Sequence, residues 1–135
     1  MSADKPFFDT NVLLYLLSNN TEKADKSDRL LENRGTVSVQ VLNEFASVAL
    51  RKIKLGWPVV HDALAAIRAA CEVVPLSVEL HDDGLRIAER YGFSIYDSMI
   101  IAAAATSDCD ILYSEDLQDK QVIGQVTIHN PFKAN

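Results

Sequence analysis

Only two cysteines occur in the 135 residues, Cys71 and Cys109. They lie far apart, in no C-x-x-C pair and beside no histidine, so nothing points to zinc spacing or a disulfide framework. They read as reduced core thiols of a cytosolic protein. Long apolar runs are missing as well. No stretch approaches membrane-spanning length, and Met1 to Pro6 lacks the charged region followed by an apolar stretch that a secretory signal requires. The expectation is a soluble, cytoplasmic chain with no membrane role. Basic residues are outnumbered, 13 against 19 acidic, for a net charge of −6. That balance argues against broad, sequence-independent adhesion to nucleic acid, which rests on lysine and arginine meeting phosphates. It leaves open an enzyme that acts on nucleic acid, because a site holding divalent cations must itself be acidic and the cations reverse its charge. Repeats, low-complexity tracts and linkers are also lacking.

What is present is an ordinary globular composition, 48% hydrophobic and 24% charged. At this length the expectation is a single domain, residues 1–135, with a core that needs no staples. Phe7 and Phe8 read as the end of a buried strand, and Val12, Leu13, Leu14, Leu16 and Leu17 as the buried side of a helix. Thr21 to Asn33 suits a surface helix opened by Thr21 and closed by Gly35. Thr36 to Val39 alternates as a second strand, and Gln40 to Lys54 follows as an amphipathic helix that Gly56, Trp57 and Pro58 break. Val59 to Glu72 is another such helix, Val73 and Val74 a brief strand stopped by Pro75, and Ser77 to Tyr91 a helix ended by Gly92. Tyr96 to Thr106 has almost no polar face, as expected of a helix buried on most sides. Asp110 to Tyr113 reads as an apolar strand and Val126 to Ile128 as the last. Strands separated by helices predict an α/β fold with a mostly parallel central sheet flanked by helices.

Four carboxylates stand where an ordinary surface reading is strained: Asp9, Glu44, Asp97 and Asp116. Each has a plain alternative. Asp9 can cap the following helix, Glu44 can lay its stem along the core edge, Asp97 completes a capping-box-like Ser94-Ile-Tyr-Asp97, and Asp116 can serve a turn or cap. Their conjunction says more than any one of them. Asp9 and Asp116 both follow apolar strands, and ligands of open α/β sheets bind beyond the carboxyl ends of strands. Carboxylates brought together there would repel unless a cation sat between them, and hard oxygen donors suit Mg²⁺ or Mn²⁺. Such a cluster supports metal-assisted hydrolysis, with phosphodiesters the natural substrate. The three histidines, His61, His81 and His129, are scattered and lack metal-binding spacing.

The order of these pieces resembles the PIN-domain nucleases, and among them the small VapC-type toxins of type II toxin–antitoxin systems. The stretches that carry the likeness are FFDTNVLLYLL near the start, NEF at Asn43 to Phe45, YDSMIIAAA at Tyr96 to Ala104, and ILYSEDLQ before IHNPF. The resemblance implies a PIN-like three-layer fold and a ribonuclease whose Asp9, Glu44, Asp97 and Asp116 hold Mg²⁺ or Mn²⁺. It also implies that Thr10, Asn11 and Ser114 are supporting polar groups that orient carboxylates or waters. Some relatives carry a further acid where this chain has Gln118, and Asp119 is one step out of register for that role. The likeness further implies a homodimer silenced by a cognate antitoxin, with RNA as substrate.

Arg51, Lys52 and Lys54 are a possible phosphate contact, although cations at a helix C-terminus are favourable in their own right. Trp57 reads as either an exposed stacking residue or a packed corner. Two other functions remain open on sequence. One is a metal-dependent phosphatase or phospho-acceptor with Asp9 as nucleophile, which haloacid-dehalogenase-like enzymes would pair with an Asp where this chain has Asn11. The other is a non-catalytic PIN-like binding module.

Overall fold

Phe7 and Phe8 are fully buried, and the strand they form is the middle of the molecule. A computed structural model describes residues 5–133. Its elements run β1 (Pro6–Phe8), α1 (Thr10–Leu14) continued by a 3-10 turn (Tyr15–Leu17), α2 (Thr21–Glu32), β2 (Gly35–Ser38), α3 (Val39–Arg51), α4 (Trp57–Ala70), β3 (Cys71–Val74), α5 (Val78–Tyr91), α6 (Ile95–Thr106), β4 (Ile111–Tyr113), β5 (Val122–Ile123) and β6 (Val126–His129). The strands form one sheet in the order β3-β2-β1-β4-β6-β5, parallel except for the edge pair β5 and β6. The chain first winds from β1 out to β3 and then returns to β4 on the other side of β1. That reversal opens a crevice between the carboxyl ends of β1 and β4, the place where open α/β sheets bind their ligands.

Helices cover the mostly parallel sheet that the alternation of apolar runs predicts, in the three-layer arrangement that the resemblance implies. α1 packs on α3, α2 and α3 on α4, while α5 packs on α6. α6 lies directly against β2, β4 and β6. Its run from Ser98 to Ala104 is buried throughout, as a helix without a polar face must be. The alanines let it approach the sheet closely. Among the described residues no helix is long and apolar enough to cross a membrane.

Several boundaries differ from the sequence expectation, each for a local reason. α2 is capped by Asn20, whose side chain accepts from the Lys23 amide at 3.2 Å, so Thr21 is its first residue and not its cap. Gly35 does not close that helix; it begins β2, after Arg34 has turned the chain with φ of 66°. α4 starts at Trp57 because Pro58 falls in the first turn, where a missing amide proton costs nothing. β3 begins at Cys71, drawn out of the helical pattern by pairing with Gly35 of β2. β5 has only two residues, too few to leave a periodic signal. Trp57 is 59% exposed, with its ring 5.5 Å from that of His61.

Gly35 is the tightest seam between β1 and β2. A Cβ there would stand 2.5 Å from the buried Phe8 ring and 2.9 Å from the Pro6 carbonyl oxygen. Gly35→Ala is therefore expected to cost about 1–3 kcal/mol by overpacking, read from urea denaturation midpoints. An unchanged midpoint would mean that the seam relaxes freely.

Candidate active site

Asp9 is the first residue beyond β1 and caps α1, its Oδ1 accepting from the Thr10 amide at 2.7 Å. Its other oxygen faces the crevice, where Ser114 Oγ donates to it at 2.8 Å and Asn11 Nδ2 at 3.2 Å. Capping and site roles thus coexist, one oxygen for each. The backbone fixes this arrangement, since the Asp9 amide donates to the Tyr113 carbonyl at the end of β4 at 2.9 Å.

Asn11 joins the two strand ends. Its amide nitrogen also lies 3.2 Å from Asp116 Oδ2 and 3.3 Å from Ser114 Oγ, and its oxygen accepts from the Glu115 amide at 3.0 Å. Asp116 is thereby tied to Asp9 through one side chain. Glu44, half-buried on α3, accepts from Thr10 Oγ1 at 3.0 Å. Asp97 lies in the first turn of α6, set there by the Ser94 cap, whose Oγ accepts from the Asp97 amide at 3.1 Å. The start of α6 is tied to α3 by Gln40, which donates to the Tyr96 carbonyl at 2.9 Å.

These placements have an electrostatic consequence. The Asp9 carboxyl stands at about 6 against the usual 3.8: burial pushes it up most, hydrogen bonds from Ser114 and Thr10 pull it down in part, and the charges of Asp97 and Glu44 add to the rise. Asp9 is only 7% exposed, whereas Glu44 and Asp97 are half-buried and Asp116 is exposed, so the acidic group opens from a buried floor to a solvated rim. Among the described residues, none of the four carboxylates pairs with Lys, Arg or His. Nor do three histidine, cysteine or acidic side chains converge there as a ready coordination sphere. The oxygens are held by Thr10, Asn11 and Ser114 instead. All-oxygen donors with unbalanced negative charge are the chemistry that Mg²⁺ or Mn²⁺ fits.

Other expected residues lie elsewhere. Arg51, Lys52 and Lys54 are exposed at the far end of α3, with Arg51 two turns beyond Glu44, about 10 Å along the helix. Asp119 turns to the C-terminal strand, accepting from the Asn130 amide at 2.8 Å with His129 Nδ1 at 4.0 Å. Of the other histidines, His61 and His81 are exposed.

A second network adjoins the site, and its pairing was not expected from the sequence. Glu115, between Ser114 and Asp116, accepts from Tyr15 Oη and Lys23 Nζ, both at 2.5 Å. Burial pushes its carboxyl up, but these hydrogen bonds and the lysine charge outweigh that and hold it below the usual carboxylate range. Lys23 also stands 4.7 Å from the Tyr15 ring centre and 5.2 Å from that of Phe132. Residues 92 and 100 positions apart meet here, which no local pattern announces.

Comparison with known proteins supplies the family. No curated protein matches the chain by sequence. Solved structures do match in fold. A toxin–antitoxin complex from Klebsiella pneumoniae aligns with a TM-score of 0.73 at 18% identity, over 96% of this chain and 100% of that one. VapC20 of Mycobacterium tuberculosis, a toxin that cleaves the sarcin-ricin loop, aligns at 0.67 and 20% over 83% and 90% of the two chains. VapBC2 of Rickettsia felis, bound to a DNA fragment from its promoter, aligns at 0.66 and 17% over 93% and 97%. Residues 7–122 match the PIN domain model, a span that runs from β1 through the acidic crevice to β5. The chain belongs to the PIN domain family.

Proposed function

We propose that this protein is a Mg²⁺- or Mn²⁺-dependent endoribonuclease that hydrolyses RNA phosphodiester bonds at Asp9, Glu44, Asp97 and Asp116, and that it is the toxin of a toxin–antitoxin pair. The observation that carries the reading is the set of carboxylates around a buried Asp9 with no cationic side chain among the described residues paired to them. Fold likeness to a toxin that cleaves the sarcin-ricin loop supports the choice of RNA.

A divalent cation bound among these acids supplies a water of lowered pKa and offsets charge on the phosphate. The chain's own part is positioning. Thr10 holds Glu44, Asn11 spans Asp9 and Asp116, and Ser114 fixes the inner oxygen of Asp9. The half-open rim suits a polymer, which needs a surface to lie across and not an enclosed pocket. Arg51, Lys52 and Lys54 would reach only a substrate that extends well beyond the acids. Phosphatase chemistry with Asp9 as nucleophile fits less well, since Asn11 stands where haloacid-dehalogenase-like enzymes would carry a second Asp.

Partners follow from the same reading. Several similar structures are toxin–antitoxin complexes, which supports a cognate antitoxin that brings Arg or Lys to the carboxylates in place of metal. A homodimer would cover exposed apolar side chains of α5 and the start of α6, including Val78, Leu85, Ile95 and Tyr96. Cys71 and Cys109 are buried free thiols, in keeping with a reducing cytoplasm.

Purified, antitoxin-free protein is expected to cut a total small-RNA pool into discrete products with Mg²⁺ or Mn²⁺. EDTA should stop the reaction, and Asp97→Asn should slow it by about 100-fold or more. A folded preparation that binds RNA yet cuts none under either metal would instead indicate a binding module.

Asp9 gives a second expectation, with a defined sign. Its folded pKa lies above its unfolded value, so the folded state holds the proton more tightly, and stability falls as pH rises from about 4 through about 6. Above that window the ionised group costs up to about 3 kcal/mol. Without divalent metal, Asp9→Asn should match the wild type near pH 4 and exceed it by about 1–3 kcal/mol at pH 7, measured by urea denaturation. Added Mg²⁺ or Mn²⁺ should raise the melting temperature of the wild type and not of the variant. Equal pH dependence of the two proteins would remove Asp9 as the stressed group.

A further inference from the structure

An acidic cleft repels the phosphates on which it is proposed to act, so the backbone must be held from somewhere else. α2 sorts its charges by side. At 100° per residue Lys23, Lys26 and Arg29 share one side, with Glu22 among them, while Asp25, Asp28 and Glu32 share another. Glu22 and Asp25 stand four residues before Lys26 and Arg29, the favourable order for helix ion pairs. Among the described residues neither cation makes such a pair. Both are left to face outward.

They do not face open solvent on a convex helix. Glu22, Lys23, Lys26 and Arg29 line a cavity of about 200 Å³ whose other wall is Pro131 and Phe132. Phe132 is half-buried and meets Tyr15 edge-on, with ring centres 4.9 Å apart. The turn that carries it continues to Lys133, whose charge joins the Asn130 amide in holding the Asp119 carboxyl below the usual carboxylate range. The cations of the cavity therefore lie on its α2 wall, three of them beside the single acid Glu22, in a chain of net charge −6, and the facing wall is uncharged. Lys23 is engaged by Glu115, the neighbour of Asp116, so the cavity begins where the acidic rim ends.

We propose that this cavity is a phosphate-backbone seat for single-stranded RNA, with Lys26 and Arg29 contacting phosphates and Phe132 offering an edge for base or sugar contact. The proposal rests on the nuclease reading for its substrate class. Lys23, already paired, acts as the pin that joins α2 to the strand end carrying Asp116. Phosphate contacts of this kind hold the strand in register and carry no sequence information.

The test separates the seat from the nuclease reading by measuring binding without cleavage. In the Asp97→Asn background, fluorescence anisotropy of a short labelled single-stranded RNA is followed against NaCl concentration, with and without Lys26→Ala/Arg29→Ala. The double change is expected to weaken binding about tenfold and to lower the salt slope by roughly 0.7 for each cation removed. Arg34→Ala/Arg68→Ala, exposed arginines near the starts of β2 and β3, should leave affinity within about twofold. Unchanged affinity and slope in a folded Lys26/Arg29 variant would overturn the seat. So would an equal loss in the Arg34/Arg68 variant, or no RNA binding at all. Wild-type protein that cleaves RNA with a KM unaffected by Lys26→Ala/Arg29→Ala would sink the seat and spare the nuclease. Binding that depends on these two residues in a chain that never cuts RNA would do the reverse.

Discussion

A buried carboxylate at the carboxyl end of the central strand of a mostly parallel sheet is the constraint around which this molecule is arranged. Asp9 is retained 7% exposed only because its oxygens receive the Thr10 amide, Ser114 and Asn11. Without those donors its desolvation would be uncompensated. Each donor in turn needs a fixed backbone. Thr10 and Asn11 need α1 to start at once after β1, and Ser114 needs β4 paired directly beside β1. The reversal of strand order at β1 is thus the topological condition for the site. The fully buried Phe7, Phe8 and Leu112 hold those two strands in register.

Hydrogen bonds alone leave the site under electrostatic stress. The donors around Asp9 pull its pKa down, yet burial and the neighbouring acids keep it near 6. A cluster designed only for stability would have offered a lysine or arginine, yet Lys23, on the adjoining helix, is spent on Glu115. Functional sites commonly hold such unbalanced charge against the rest of the fold. Here the opposing stabilisation comes from apolar packing, above all α6, whose buried middle ties Asp97 to a rigid frame while its Ser94 cap fixes the first turn.

How much of this could be read from sequence depends on the range of each interaction. Asp9 and Asp116 stood out because each follows an apolar run, and the buried character of α6 was visible in its unbroken alanines and isoleucines. Cap boundaries were less legible. Asn20 and Thr21 are both good N-terminal residues, and only the bond to the Lys23 amide distinguishes them. The start of β3 at Cys71 was hidden because its strand character comes from pairing with Gly35, not from its own neighbours. Least legible were contacts across the chain. Asn11 was placed as a supporting group by likeness, but that it spans Asp9 and Asp116 follows only from the adjacency of β1 and β4. Tyr15 and Glu115 lie inside stretches that carry the family likeness, but nothing in them pairs the two with each other or with Lys23, and Glu115 looks like any surface acid until α2 folds against it.

That network also bears on how an acidic protein can handle a polyanion. Attraction and catalysis make opposite demands: phosphates are drawn by fixed cations, while divalent metal is drawn by fixed anions. Placing cations inside the acidic crevice would neutralise the carboxylates and weaken metal binding. Placing them far away would leave the strand unaligned with the acids. On the proposed reading the Lys23–Glu115 pair resolves the conflict, because it closes the acidic rim on the side of α2 and fixes the helix whose Lys26 and Arg29, without an ion pair among the described residues, lie one and two turns farther on. If the protein is the nuclease proposed, charge of each sign is then concentrated where its partner is needed, and the Lys23–Glu115 ion pair marks the boundary between them.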